Sequence, residues 1–157
     1  MSKNKKTILG TCACKASDFE LSQMPTQRMY CHCSICQLVY DGPYSDFMLA
    51  NAKTVSVNPV SKIHYNRYKK PLALDRGVCT ECQKPAMGFL QIVPGVRLAF
   101  IPAYTLNGHK DIPEPSRHIW YHSRAADIED DLPKIEGKMR SNMACLGPFY
   151  KGFRGKL

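Results

Sequence analysis

Apolar positions in this chain come in short runs rather than in helical stripes, and Pro and Gly interrupt them often. The runs between the breaks are rich in β-branched and aromatic residues, which is the composition of strands. The plainest case is Gly88-Phe89-Leu90-Gln91-Ile92-Val93, then Pro94-Gly95, then Val96-Arg97-Leu98-Ala99-Phe100-Ile101. Two strand-like runs around a turn dipeptide predict a β-hairpin. Residues 19–21, 54–57, 63–68 and 118–122 have the same strand character. Helix is expected in one short stretch, a turn or two opened by Ser34 as N-cap and running through Ile35-Cys36-Gln37-Leu38-Val39. The expected fold is mainly β, with little helix. Beyond Gly137 the chain turns basic and Gly-containing without periodicity, so residues 137–157 are expected to form an arm or tail.

With 157 residues, of which 44% are apolar, the chain can fill one packed core, and a single domain over 1–157 is expected. No apolar run approaches the roughly 20 residues of a membrane-crossing helix, and the opening residues lack the apolar segment of a signal peptide. A cytoplasmic protein with no membrane partner is expected. Eight cysteines are too few for a disulfide scaffold, which needs roughly 8–10% of a short chain, and clustered thiols in a reducing compartment hold metal instead. The formal charge of +9 invites an acidic partner, although thiolates on metal would trim it.

Seven of the cysteines fall into three groups, Cys12-Ala13-Cys14, Cys31-His32-Cys33-Ser34-Ile35-Cys36 and Cys79-Thr80-Glu81-Cys82. On an extended segment a C-x-C pair sends both sulfurs to one face, and a C-x-x-C pair turns tightly enough for both to reach one ion at about 2.3 Å. Cys12, Cys14, Cys79 and Cys82 therefore suit one closed, structural four-thiolate site. Cys31, Cys33 and Cys36 are one ligand short of a tetrahedron, the pattern of a catalytic zinc with a vacant fourth position. Three anionic sulfurs weaken Lewis acidity, so thiol exchange is the chemistry expected there.

Gly10-Thr11-Cys12-Ala13-Cys14, Tyr30-Cys31-His32-Cys33-Ser34-Ile35-Cys36 and Val78-Cys79-Thr80-Glu81-Cys82 resemble the three cysteine motifs of the glutathione-dependent formaldehyde-activating enzyme and centromere protein V family. Pro115-Ser116-Arg117-His118-Ile119 and Asp130-Asp131-Leu132-Pro133-Lys134-Ile135-Glu136 resemble its closing motifs, so the family core is expected over residues 8–136. The resemblance implies a Mss4-like fold of curled antiparallel sheets stapled by two Zn²⁺ ions. A structural zinc on Cys12, Cys14, Cys79 and Cys82 and a second on Cys31, Cys33 and Cys36 follow from it. It also implies a carbon–sulfur lyase-type reaction that joins glutathione and formaldehyde into S-(hydroxymethyl)glutathione. Gln83 stands where the family has Gly after the last cysteine, and a left-handed Gln83 would cost roughly 1 kcal/mol or more. Arg124-Ala125-Ala126-Asp127-Ile128 replaces the family's Pro-Trp pair before the closing acidic motif.

Other residues carry open readings. Cys145 is a free or semi-buried thiol, or else closes the second site as its fourth ligand. His32, between two ligands but on the opposite side of the strand, is read as a surface residue or a support to the ligands. His118 is either a proton carrier facing the second zinc or a hydrogen-bonded sheet residue. Arg117 and the Lys69-Lys70 pair could grip the carboxylates of a thiol such as glutathione, or form a solvated basic face. In the tail, Phe149, Tyr150 and Phe153 alternate with Lys151, Arg154 and Lys156, a pattern that could stack on single-stranded nucleic acid. The expected function is a zinc-dependent enzyme acting on a thiol adduct of a small aldehyde. The alternative is a non-catalytic zinc module that binds nucleic acid or protein.

Overall fold

The computed structural model describes residues 6–69 and 73–155. Lys70 and Lys156 lie outside them. In chain order the elements are β1 (Ile8–Thr11), β2 (Asp18–Leu21), β3 (Gln27–Cys31), α1 (Ser34–Tyr40), β4 (Ser45–Asn51), β5 (Val55–Val57), β6 (Ile63–Asn66), β7 (Leu74–Cys79), β8 (Pro85–Val93), β9 (Val96–Pro102), β10 (His118–Ile119) and α2 (Lys138–Arg154). Short 3-10 turns follow β4, β9 and β10. The fold is mainly β: a three-stranded sheet ordered β1-β2-β5 and a seven-stranded sheet ordered β10-β3-β4-β9-β8-β7-β6. Every named strand pairing is antiparallel except β10 with β3.

Period-two alternation distributes the large sheet's side chains between two cores. Met48, Ala50, Ala99 and Ile101 pack with Phe19 and Leu21 of the small sheet. Phe47 and Leu49 face the other way, into a cluster with Met29, Cys31, Ile119 and the α2 residues Cys145 and Phe149. β4 is thus apolar at consecutive positions, as strands buried on both faces are. Lacking alternation, it does not stand out in the sequence, whereas the β8–β9 hairpin does. β10 is shorter than the strand expected over 118–122, because Trp120 turns into the left-handed region at φ 52° and starts a 3-10 turn.

The stretch expected as an aperiodic arm is instead a 17-residue helix against the sheet. Its buried positions are Ser141, Cys145, Pro148 and Gly152, mostly small residues that let the helix backbone approach β4 closely. A Cβ on Gly152 would sit 2.8 Å from Leu49 Cβ. Gly152→Val is therefore expected to destabilise by about 1–3 kcal/mol, read as a lowered midpoint in chemical denaturation. Pro148 cannot donate to the carbonyl of Ala144 four residues back. Arg117 Nη1 donates to that carbonyl at 3.0 Å, and the Ser141 hydroxyl accepts from Trp120 N at 2.8 Å. Two side-chain bonds thus hold α2 to the β10 segment.

Candidate metal centres

The first cluster joins the two sheets. Cys12 and Cys14 lie in the turn just past β1, Cys79 ends β7 and Cys82 lies in the turn before β8. All four sulfurs lie within 4.8 Å of one another, with Cys12 and Cys14 at 3.6 Å and Cys14 and Cys79 at 3.7 Å. The C-x-C pair is not extended as the spacing suggested. Cys12 N donates to Ser17 O at 2.9 Å, Lys15 N donates back to Cys12 O at 3.1 Å, and Lys15 has φ 63°. A turn, not strand alternation, brings these two sulfurs together.

The C-x-x-C turn closes through Gln83 N to Cys79 O and Cys79 N to Lys84 O, both 2.9 Å. It puts Gln83 at φ 59°, the left-handed conformation anticipated from the missing glycine, with Gln83 Nε2 donating to Thr80 O at 2.9 Å. Gln83→Gly is expected to relieve that strain and stabilise the protein by about 0.5–1 kcal/mol, measured as a raised thermal midpoint with metal content unchanged. Burial alone would raise the Cys79 thiol, but the Ser17 hydroxyl and the Cys82 and Glu81 amides bring it down to about 6.

The second cluster is built by a strand running into a helix. Cys31 ends β3, Cys33 caps α1 and Cys36 lies in its first turn. Cys33, not Ser34, is the N-cap: its Sγ accepts from Cys36 N at 3.4 Å. The three sulfurs lie within 4.8 Å of one another. Gln37 Nε2 ties the loop down by donating to His32 O at 2.7 Å and Ser123 O at 2.8 Å. Cys145, buried in the same apolar cluster, stands outside this set of sulfurs, and burial pushes its thiol up to about 12. Among the described residues no fourth ligand joins the three.

Crowding sets the charge state of these sulfurs. The neighbouring Cys31 and Cys36 thiols bring Cys33 down to about 2. The neighbouring Cys33 holds Cys31 far above the ordinary thiol range. Cys36, which its contact with Cys31 would lower, is pushed up to about 11 by Cys33 and by burial. Without a counter-cation the cluster takes one negative charge and resists the next, whereas a divalent ion lets all three ionise. This donor set, soft, convergent and in need of positive charge, fits Zn²⁺. The four-sulfur set fits it equally.

His32 is not on the surface. It is fully buried on the face opposite Cys31, and its Nε2 lies 2.8 Å from His118 Nδ1. His118, also fully buried, reaches Asp130 Oδ2 with its Nε2 at 2.8 Å. Bonds from Lys134 and then His118 hold the Asp130 carboxyl down at about 2, so it accepts only. His118 Nε2–H donates to that carboxylate, and the ring nitrogen left at the far end of the chain is His32 Nδ1. That atom is buried and has no hydrogen-bond partner. His118 thus has both ring nitrogens occupied and turns away from the cysteines. Nothing in single-residue spacing linked Asp130 and Lys134 to it.

The candidate thiol-binding cations separate in the same way. Arg117 is committed to α2, as described above. Arg76, on β7, was missed by the sequence reading. Its positive charge helps lower both Cys33 and Cys36, and it makes no ion pair among the described residues. The nucleic-acid pattern of the last residues is also changed, because Phe149 and Phe153 pack into the core and leave Tyr150 as the exposed aromatic.

Three comparisons bear on this architecture. The family described as glutathione-dependent formaldehyde-activating enzyme matches residues 7–123, slightly shorter than the 8–136 core expected from motifs. A crystal structure of a Rhodobacter sphaeroides protein, solved as a structural-genomics target, superimposes with a TM-score of 0.52 at 16% identity, covering 67% of this chain and 97% of that one. Curated proteins gave no match. Since the match takes in both cysteine clusters and most of both sheets, the chain belongs to the glutathione-dependent formaldehyde-activating enzyme family.

Proposed function

We propose that this protein is a zinc-dependent carbon–sulfur enzyme that adds a glutathione-like thiol to a small aldehyde. In the reaction a bond forms between the thiol sulfur and the aldehyde carbon, the carbonyl π bond breaks, and the thiol proton ends on the oxygen. The observation that carries the reading is the unequal pair of cysteine sets, four sulfurs in one and three in the other. A zinc ion on Cys31, Cys33 and Cys36 would supply a free position that lowers the pKa of an incoming thiol.

The chain's own residues do the rest. Cys33 and Cys36 are held by the first turn of α1, and Gln37 fixes the loop between them and β3. The Asp130–His118–His32 chain clamps that loop from the opposite face, so the three sulfurs keep their spacing. Arg76, whose charge favours the Cys33 and Cys36 thiolates, would offer a cation to a thiol that carries carboxylates.

The test is the rate at which S-(hydroxymethyl)glutathione forms from glutathione and formaldehyde, with and without zinc-loaded protein. Acceleration is expected; equal rates across thiols and small aldehydes would sink the reading. Arg76→Met is expected to raise KM for glutathione roughly tenfold while leaving that for an uncharged thiol nearly unchanged, measured by initial rates with both.

A further inference from the structure

The C-terminal helix α2 carries apolar side chains on two sides. Its sheet-facing positions are Ser141, Cys145, Pro148 and Gly152, flanked by Phe149 and Phe153, while four other large apolar side chains face water. Met139 is 76% exposed, Met143 65%, Leu146 67% and Tyr150 61%. Their spacing of i, i+4, i+7 and i+11 puts them in one stripe roughly 16 Å long. Packing within the chain gives no reason for it, and a contiguous exposed apolar stripe marks a contact surface.

Charge and shape together say what the contact is. Lys138, Arg140, Lys151 and Arg154 are all exposed on α2, which contains no Asp or Glu. A second copy of the helix would set these cations against their like, so the partner is anionic. The inner side of α2 is already taken by β4 and β9. A protein groove that wraps an amphipathic helix needs more of its circumference than remains. What is left is a convex ridge with apolar residues on its crest, which suits a plane.

We propose that α2 docks the protein on the surface of a membrane rich in anionic lipid. Met139, Met143, Leu146 and Tyr150 enter the boundary between headgroups and acyl chains, and Arg140, Lys151 and Arg154 pair with lipid phosphates. Arg154 already donates to the Tyr150 hydroxyl at 2.9 Å, which places cation and ring side by side at headgroup depth. This is docking on the bilayer and not crossing it: no described helix is long and apolar enough to span a membrane. It is independent of the metal chemistry.

The full-length zinc-loaded protein is mixed with phosphatidylcholine vesicles, pure or carrying about 30% phosphatidylserine, and sedimented. Binding is expected to the anionic vesicles only and to weaken as salt rises. Met143→Glu with Leu146→Glu, at exposed positions that leave the core intact, is expected to lower the partition coefficient at least roughly tenfold. Arg140→Glu with Lys151→Glu is expected to remove the preference for phosphatidylserine, with circular dichroism and zinc content unchanged in both variants. Three outcomes would overturn the proposal. They are no binding to anionic vesicles at low salt, a dimer that the Met143→Glu, Leu146→Glu variant abolishes, and poly-glutamate bound through α2 more tightly than vesicles.

Discussion

Cys79→Ser is expected to leave the protein without a cooperative folding transition. Cys79 is fully buried where β7 ends, and its sulfur lies among those of Cys12, Cys14 and Cys82. The small sheet reaches the large one through that cluster as well as through the apolar contacts around Phe19 and Leu21. A structural zinc contributes on the order of 10–16 kcal/mol in small zinc peptides, against a net stability of roughly 5–15 kcal/mol for a whole domain. Removing one of four thiolates forfeits much of the first figure and opens the closed site at the position where β7 ends. Far-UV circular dichroism through a thermal ramp would show a broad, non-cooperative change, and a strong chelator should reproduce it in the wild type. Each thiol gives up its proton to bind, so protons compete with the metal and zinc release is expected as pH falls. A Cys79→Ser protein with a sharp transition within about 1 kcal/mol of wild type would show that the cluster is not structural.

The parts of this design that could be read from sequence are those whose cause is local. The C-x-x-C turn and the left-handed residue after it depend on a few neighbouring residues, and Gln83 adopts that conformation. The β8–β9 hairpin announces itself through Pro94-Gly95. What stayed hidden depends on residues far apart. β4 is buried on both faces and so has no alternation to detect. α2 keeps a helical period, but its fully buried residues are small and Met139, Met143, Leu146 and Tyr150 point outward, which blurs the usual signal. Arg117, open in the sequence to either a carboxylate grip or a solvated basic face, instead serves the Ala144 carbonyl that Pro148 leaves needing a donor. The His32–His118–Asp130 chain joins residues from three separate segments, a link that only the folded chain makes.

Cys33→Ser is expected to separate the two cysteine sets cleanly. Cys33 is partly exposed, and its structural duty is to cap α1 by accepting from Cys36 N. Serine is among the best N-cap residues, so α1 should survive the exchange and the fold with it. The hydroxyl, unlike the thiol, does not ionise at neutral pH, so the second site is left with two sulfurs, Cys31 and Cys36. Zinc per chain should therefore fall from two to one, while the thermal midpoint of the remaining protein moves by no more than a few degrees. Thiol addition to the aldehyde should fall by about 10³-fold or more, since the site would lose both its metal and the charge that its sulfurs share. Metal analysis, a thermal scan and the thiohemiacetal rate on one preparation give three independent readings. A variant that keeps two tightly held zinc ions, or that turns over at the wild-type rate, would detach the chemistry from Cys31, Cys33 and Cys36. One that unfolds would instead assign this cluster the same structural duty as the other.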